Sequence, residues 1–190
     1  NVRTSVTENG VTTRYVVNPQ AVLSQVLMET DGQGNRAAYY VYGLGLIGRE
    51  AADGSYATYH YDRRGSTVAL TNDNGVITDT YEYGPYGEQI RHRGTMEQPF
   101  QYNGRDGVAT DANGLYHMRA RYYNPEIKRF INRDVLTGSI SDSQTLNRYA
   151  YVNGNPISYV DPFGLSRDGD SAWLQGGSFL ADLVPWVGTV

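Results

Sequence analysis

The sequence has no cysteine, which excludes disulfides and thiolate metal sites. Its three histidines, His60, His92 and His117, are too scattered for a zinc spacing, so no metal and no cofactor is expected. Phenylalanine is scarce, with 4 residues against 17 tyrosines, so apolar burial must rely on rings whose hydroxyls need partners or water. A surplus of positive charge is also missing. The formal net charge of -4 argues against nucleic acid as a direct partner, because phosphate binding requires a dominant Lys and Arg surface. No long hydrophobic run is present either: residues 172–190 are interrupted by Gln175, Gly176, Gly177, Ser178, Asp182 and Pro185, and fall short of a membrane span. The first residues, Asn1-Val2-Arg3-Thr4, carry neither a signal pattern nor an initiator Met, so the chain reads as a piece of something longer.

What is present is a repeat. Gly34 precedes Tyr40 and Tyr42, Gly54 precedes Tyr59 and Tyr61, and Gly75 precedes Tyr81 and Tyr83; Gly10 with Tyr15 and Val17 makes a weaker copy. Glycine-to-glycine steps of 20 and 21 residues imply stacked supersecondary units. Each unit has a turn rich in Asp, Asn and Gly (Asp31-Gly32, Asp53-Gly54, Asn74-Gly75) leading into alternating β-branched or aromatic residues. That alternation puts every second side chain on one face, and Gly or Asn supplies the positive φ of a two-residue hairpin turn. Antiparallel hairpins are expected, with the tyrosine pairs on a half-exposed face packing across strands at roughly 0.2–1 kcal/mol each. A saccharide-stacking surface is the competing reading of the same rings.

The chain changes character after Asp161-Pro162-Phe163-Gly164-Leu165: residues 166–190 contain two Trp and no Tyr. Upstream of that border stand Tyr-His-Tyr-Asp-Arg-Arg-Gly-Ser (59–66), Tyr-Glu-Tyr-Gly-Pro-Tyr-Gly-Glu (81–88), Asn-Gly-Arg-Asp (103–106), Gly-Leu-Tyr-His-Met-Arg-Ala-Arg-Tyr-Tyr-Asn-Pro (114–125) and Arg-Phe-Ile-Asn-Arg-Asp (129–134), closed by Asn-Arg-Tyr-Ala-Tyr-Val-Asn-Gly-Asn-Pro (147–156). This set resembles the conserved core of Rhs (rearrangement hotspot) and YD-repeat proteins. The resemblance implies a mainly β fold: antiparallel hairpin repeats forming the closing end of a spiralling β-shell, with a short, partly helical C-terminal tail. It divides the chain into YD-like repeats at 1–58, an Rhs-associated core with a self-cleavage motif at 59–165, and the start of a toxin region at 166–190.

The same resemblance implies self-cleavage after Leu165, at the Leu165–Ser166 bond, to free a C-terminal toxin. It carries the catalytic aspartates onto Asp134 and Asp161; Val135 stands where the family usually has Pro. Without Cys, metal or an evident Ser/His pair, two carboxyl groups are the sensible catalysts, one acting as acid while the other activates water. Arg133 is the candidate cation by adjacency to Asp134, while Arg119, Arg121, Lys128 and Arg129 read as partners of shell carboxylates or covers for tyrosine rings. Pro162 fixes φ and steers Asp161 away from the helical region, and Gly164 can take a backbone conformation closed to other residues. On its own, Asp161-Pro162 is an ordinary turn dipeptide.

The implied partners are the rest of the shell, its C-terminal toxin, and a secretion-apparatus or chaperone protein. The implied setting is synthesis in the bacterial cytoplasm followed by secretion or delivery to target cells, by a type VI or Tc-like route. In the tail, Ser178 to Val184 reads as a short helix stopped by Pro185, and Gly177, Asp182, Pro185 and Gly188 resemble a pre-toxin linker. Two rival readings are a non-catalytic YD-repeat scaffold or adhesion module binding glycan or protein, and a protein-binding module whose tail docks a chaperone.

Overall fold

The computed structural model of the chain describes residues 2–137, 140–141 and 143–165. Ser166, and with it the expected helix and linker of the tail, lies outside the described residues. Among the described residues, nine strands run as an antiparallel meander in chain order: β1 (Ser5–Glu8), β2 (Val11–Asn18), β3 (Gln25–Thr30), β4 (Arg36–Tyr42), β5 (Leu46–Ala51), β6 (Tyr56–Tyr61), β7 (Thr67–Asn72), β8 (Ile77–Tyr83) and β9 (Gln89–Arg93). A second sheet follows, again in chain order, from β10 (Ala109–Thr110), β11 (Tyr116–Met118), β12 (Arg121–Asn124) and β13 (Arg129–Phe130).

Local turn chemistry explains the meander. Only the Asn9-Gly10 turn, among the repeat turns named from sequence, is the expected two-residue type, with φ of 50° and 81° at its two positions. Gly34, Gly54, Gly65 and Gly75 instead end three-residue loops. Each donates its N–H to the carbonyl three residues back (Asp31, Ala51, Asp62, Asn72), and each has φ between 74° and 91°. This is a turn followed by a left-handed glycine that bulges the returning strand. Where Asp or Asn opens the loop, its side chain completes it: Asp62 Oδ1 accepts from the amides of Arg64 and Ser66 at 2.9 and 2.8 Å. Asn72 Oδ1 does the same for Asn74 and Val76, both at 3.0 Å.

Alternation then fixes the faces. In β4, β6 and β8 the pairs Tyr40/Tyr42, Tyr59/Tyr61 and Tyr81/Tyr83 all turn inward, with Tyr40, Tyr59 and Tyr81 buried and their partners half-buried. The pairs are thus a core layer rather than a half-exposed face. They offer no open surface for stacking on a saccharide: Tyr40 meets Phe100 edge-on at 5.0 Å, and the Tyr59 hydroxyl donates to Gln98 Oε1 at 3.2 Å.

The second sheet and its flanking segments close over one end of this inner face. Residues 100–105 lie along the Gly65 turn, with Thr67 N–H donating to Gln101 O at 2.9 Å and Arg105 N–H to Gly65 O at 3.0 Å. Tyr116 and Tyr123 reach the β8–β9 turn, donating to the carbonyls of Gly87 and Tyr86 at 2.6 and 2.7 Å. Around them Tyr102, Val108, Met118, Phe130, Tyr151 and Val152 form a separate buried cluster. The far end of the large sheet is tied in as well: Arg3 holds Asp111 by two bonds of 2.6 Å and also donates to Tyr122 Oη.

Candidate active site

The site is assembled by the tip of the β11–β12 hairpin. Arg119 and Ala120 form a two-residue loop between paired Met118 and Arg121, and Arg119 sits at φ +47°. Three consecutive residues of this tip each donate to one carbonyl of the terminal motif. Arg119 Nη1 donates to Pro162 O at 2.6 Å, the Ala120 amide to Phe163 O at 3.1 Å, and Arg121 Nε to Gly164 O at 2.5 Å. The Asp161 carbonyl accepts from the Gly164 amide at 3.2 Å and closes a turn over 161–164.

Gly164 is required here on two counts. Its φ is +66°, and a Cβ would lie 2.3 Å from Met118 O and 3.1 Å from the Arg121 nitrogen. The motif therefore presses backbone to backbone against the hairpin tip, which only a bare α-carbon permits.

Asp161 and Asp134 converge on one guanidinium. Arg121 Nη2 lies 3.0 Å from Asp134 Oδ2 and 3.4 Å from Asp161 Oδ2, and the three side chains are 3%, 5% and 1% exposed, so water screens this triad little. The Phe130 ring lies 3.6 Å beneath the guanidinium. Burial pulls the Arg121 pKa down while Asp134 and Asp161 push it back up. The second oxygen of each carboxylate caps a turn: Asp161 Oδ1 accepts from the Leu165 amide at 3.1 Å, and Asp134 Oδ1 from the Leu136 amide at 2.8 Å. Asp161 thus touches the amide of the residue that carries the candidate scissile carbonyl.

The structure brings Asp134, Asp161, Pro162, Gly164 and Leu165 together. It does not bring Arg133 in as the central cation. Arg133 is exposed while its neighbour Asp134 is buried. The guanidinium between the carboxylates belongs to Arg121, which sequence adjacency missed. Its signal was the strand alternation that puts Arg121 on the same inward face as Tyr123.

A small cavity of about 10 Å³, room for roughly one water, abuts the site, lined by Arg121, Asp134, Leu136, Thr145 and Arg148 among others. A larger groove, about 670 Å³, runs past Val22, Leu44, Arg105 and Arg119 but reaches neither carboxylate. The smaller cavity reaches Asp134 but not Asp161.

Fold and site define a class: an antiparallel β-meander whose 161–164 turn is locked over a buried pair of aspartates sharing one arginine. No known family profile matches the chain. It is 32% identical over 172 residues, 88% of its length, to the tRNA3(Ser)-specific nuclease WapA of Bacillus spizizenii. To the double-stranded DNA deaminase toxin A of Burkholderia cenocepacia it is 31% identical over 113 residues, 57% of this chain and 7% of that protein. The fold is that of TcdB2–TccC3, whose crystal structure superposes on 85% of this chain and 8% of that one, with TM-score 0.58 at 22% identity. The chain spans about 7% of the length of the curated relatives it matches first. Its homologues therefore include proteins named as a toxin and as a tRNA nuclease, each far longer than the chain itself.

Proposed function

We propose that the chain is the closing segment of an Rhs/YD-repeat toxin shell, and that it cuts itself once, between Leu165 and Ser166, to release a C-terminal toxin. The observation that carries the reading is the convergence of Asp134 and Asp161 on Arg121, with Asp161 also bonded to the Leu165 amide. One carboxylate takes a proton from water as the water oxygen bonds to the Leu165 carbonyl carbon. The partner carboxylic acid gives its proton to the Ser166 nitrogen as the carbon–nitrogen bond breaks. The products are a carboxyl group on Leu165 and an amine on Ser166. Arg121 holds both acids in register and offsets the charge that develops between them, and the clamped motif supplies the proximity.

The partners in this reading are the remaining repeats of the shell and the toxin domain it encloses, delivered to a target cell after secretion. The longer homologues named as a toxin and a nuclease support it.

A second reading has its own observation. The bond from Leu165 N–H to Asp161 Oδ1 repeats the device of Asp62 and Asn72, so Asp161 also serves as the corner of an ordinary repeat turn. Asparagine separates the two roles, because Asn72 makes the same turn with an amide. Asp161→Asn and Asp134→Asn are expected to fold and to lower the rate at which a Ser166 amino terminus is formed by about 10²-fold or more, the usual worth of an acid–base group. N-terminal sequencing of the purified chain over time provides the test. Asn variants that cut as fast as wild type would leave only the scaffold role.

A further inference from the structure

Arg119 is half-buried, and its acceptors are three backbone carbonyls and a hydroxyl. Nε donates to Ser24 Oγ at 3.2 Å, Nη2 to Ser24 O at 3.0 Å and Asp106 O at 2.8 Å, and Nη1 to Pro162 O at 2.6 Å. These acceptors belong to three distant segments: the loop between β2 and β3, the 3-10 turn Gly104–Asp106, and the terminal motif. An arginine that only stabilises a fold commonly pairs with carboxylates. This one spends its donors fastening segments 95 and 43 residues away to a single point.

The surroundings are built for that reach. Gly107 has φ +78°, and a Cβ there would sit 2.8 Å from Arg119 Nη2. Arg119 itself holds a left-handed φ of +47°, which a non-glycine residue keeps only where its neighbours enforce it. Burial also lowers its pKa to about 10, with Asp106 and Tyr42 opposing the shift only in part.

We propose that Arg119 is a positioning residue for the terminal motif, and that through it the docking of the β2–β3 loop at Ser24 decides whether residues 162–165 are held. The inference rests on the cleavage reading for its purpose: a cut would then proceed only after the upstream repeats have stacked. Its geometry can be tested apart from that reading.

The experiment measures amide hydrogen exchange in the full chain carrying Asp134→Asn, which slows cutting about 10²-fold or more in the proposed mechanism. Adding Arg119→Ala should raise exchange at Ala120, Gly164 and Leu165 by about tenfold, the worth of one hydrogen bond from a charged donor, and leave β6 to β8 unchanged. Replacing residues 20–23 by two glycines should raise it at the same amides, although none of those four residues bonds to the motif. Arg119→Lys, able to reach one carbonyl but not three, should fall between. In the otherwise wild-type chain the first two changes should slow formation of the Ser166 terminus by a similar factor, with Arg119→Lys again intermediate. Unchanged exchange at Gly164 and Leu165 in both the alanine and the loop variants overturns the proposal. If exchange responds while the wild-type chain is never cut, the coupling stands and the cleavage reading falls.

Discussion

At the scale of residues, the behaviour of Asp134 and Asp161 is set by what lies between them. A lone carboxylate in a buried corner is costly, two are worse, and one guanidinium placed at 3.0 and 3.4 Å makes the arrangement tolerable. Removing that guanidinium with Arg121→Met should therefore leave both acids without their shared cation and cost roughly 3–5 kcal/mol, read as a lowered midpoint in urea unfolding. A change of less than 1 kcal/mol would mean that the acids find other cations, with Arg148, whose Nη2 donates to the Asp134 carbonyl, as the first suspect. The two acids and the glycine were legible in the sequence because they lie in short, distinctive motifs. Arg121 was not, since its proximity to Asp161 spans 40 residues and arises from strand pairing.

At the scale of elements, the same turn serves the shell and the site. Gly54 and Gly164 both follow a three-residue approach with the glycine amide bonded to the carbonyl three residues back, and both have positive φ. Their surroundings differ. A Cβ at Gly54 meets nothing within 4 Å, so Gly54→Ala should cost only the left-handed backbone penalty, about 1–2 kcal/mol. At Gly164 the added carbon meets Met118 O at 2.3 Å, so Gly164→Ala should cost more and displace the motif. Paired thermal melts give the order of the costs, and amide exchange at Ala120 gives the displacement; equal costs would show that the close approach is unimportant. The hairpins and their period were readable because turn chemistry is local. The loop length was not, because a single glycine suits a two-residue turn and a three-residue bulged loop alike.

At the scale of the whole molecule, the two ends of the described chain are joined through the closing segment, by Arg3 to Asp111 and by Arg119 to Ser24. His117 stands among these groups. Burial first, then the Arg3 and Arg119 guanidiniums, push its pKa down from 6.5 to about 4, and Asp111 only partly opposes them. Above pH 6.5 the imidazole is neutral whether the chain is folded or not, and it has no effect on the balance. As pH falls from 6.5 toward 4 the unfolded chain takes up the proton first, so folding stability should decline through that window and level off below it. Urea titrations of wild type and His117→Asn between these limits should diverge, wild type losing more; parallel curves would place the acid sensitivity elsewhere.

The central claim concerns one bond, and heavy-oxygen water tests it most directly. The full chain is folded in such water and followed by intact mass spectrometry. The account predicts that the whole chain gives way to a fragment ending at Leu165 with one heavy oxygen in its new carboxyl group, and to a second fragment beginning at Ser166. A folded chain that keeps its full mass, or is cut at any other bond, would contradict it.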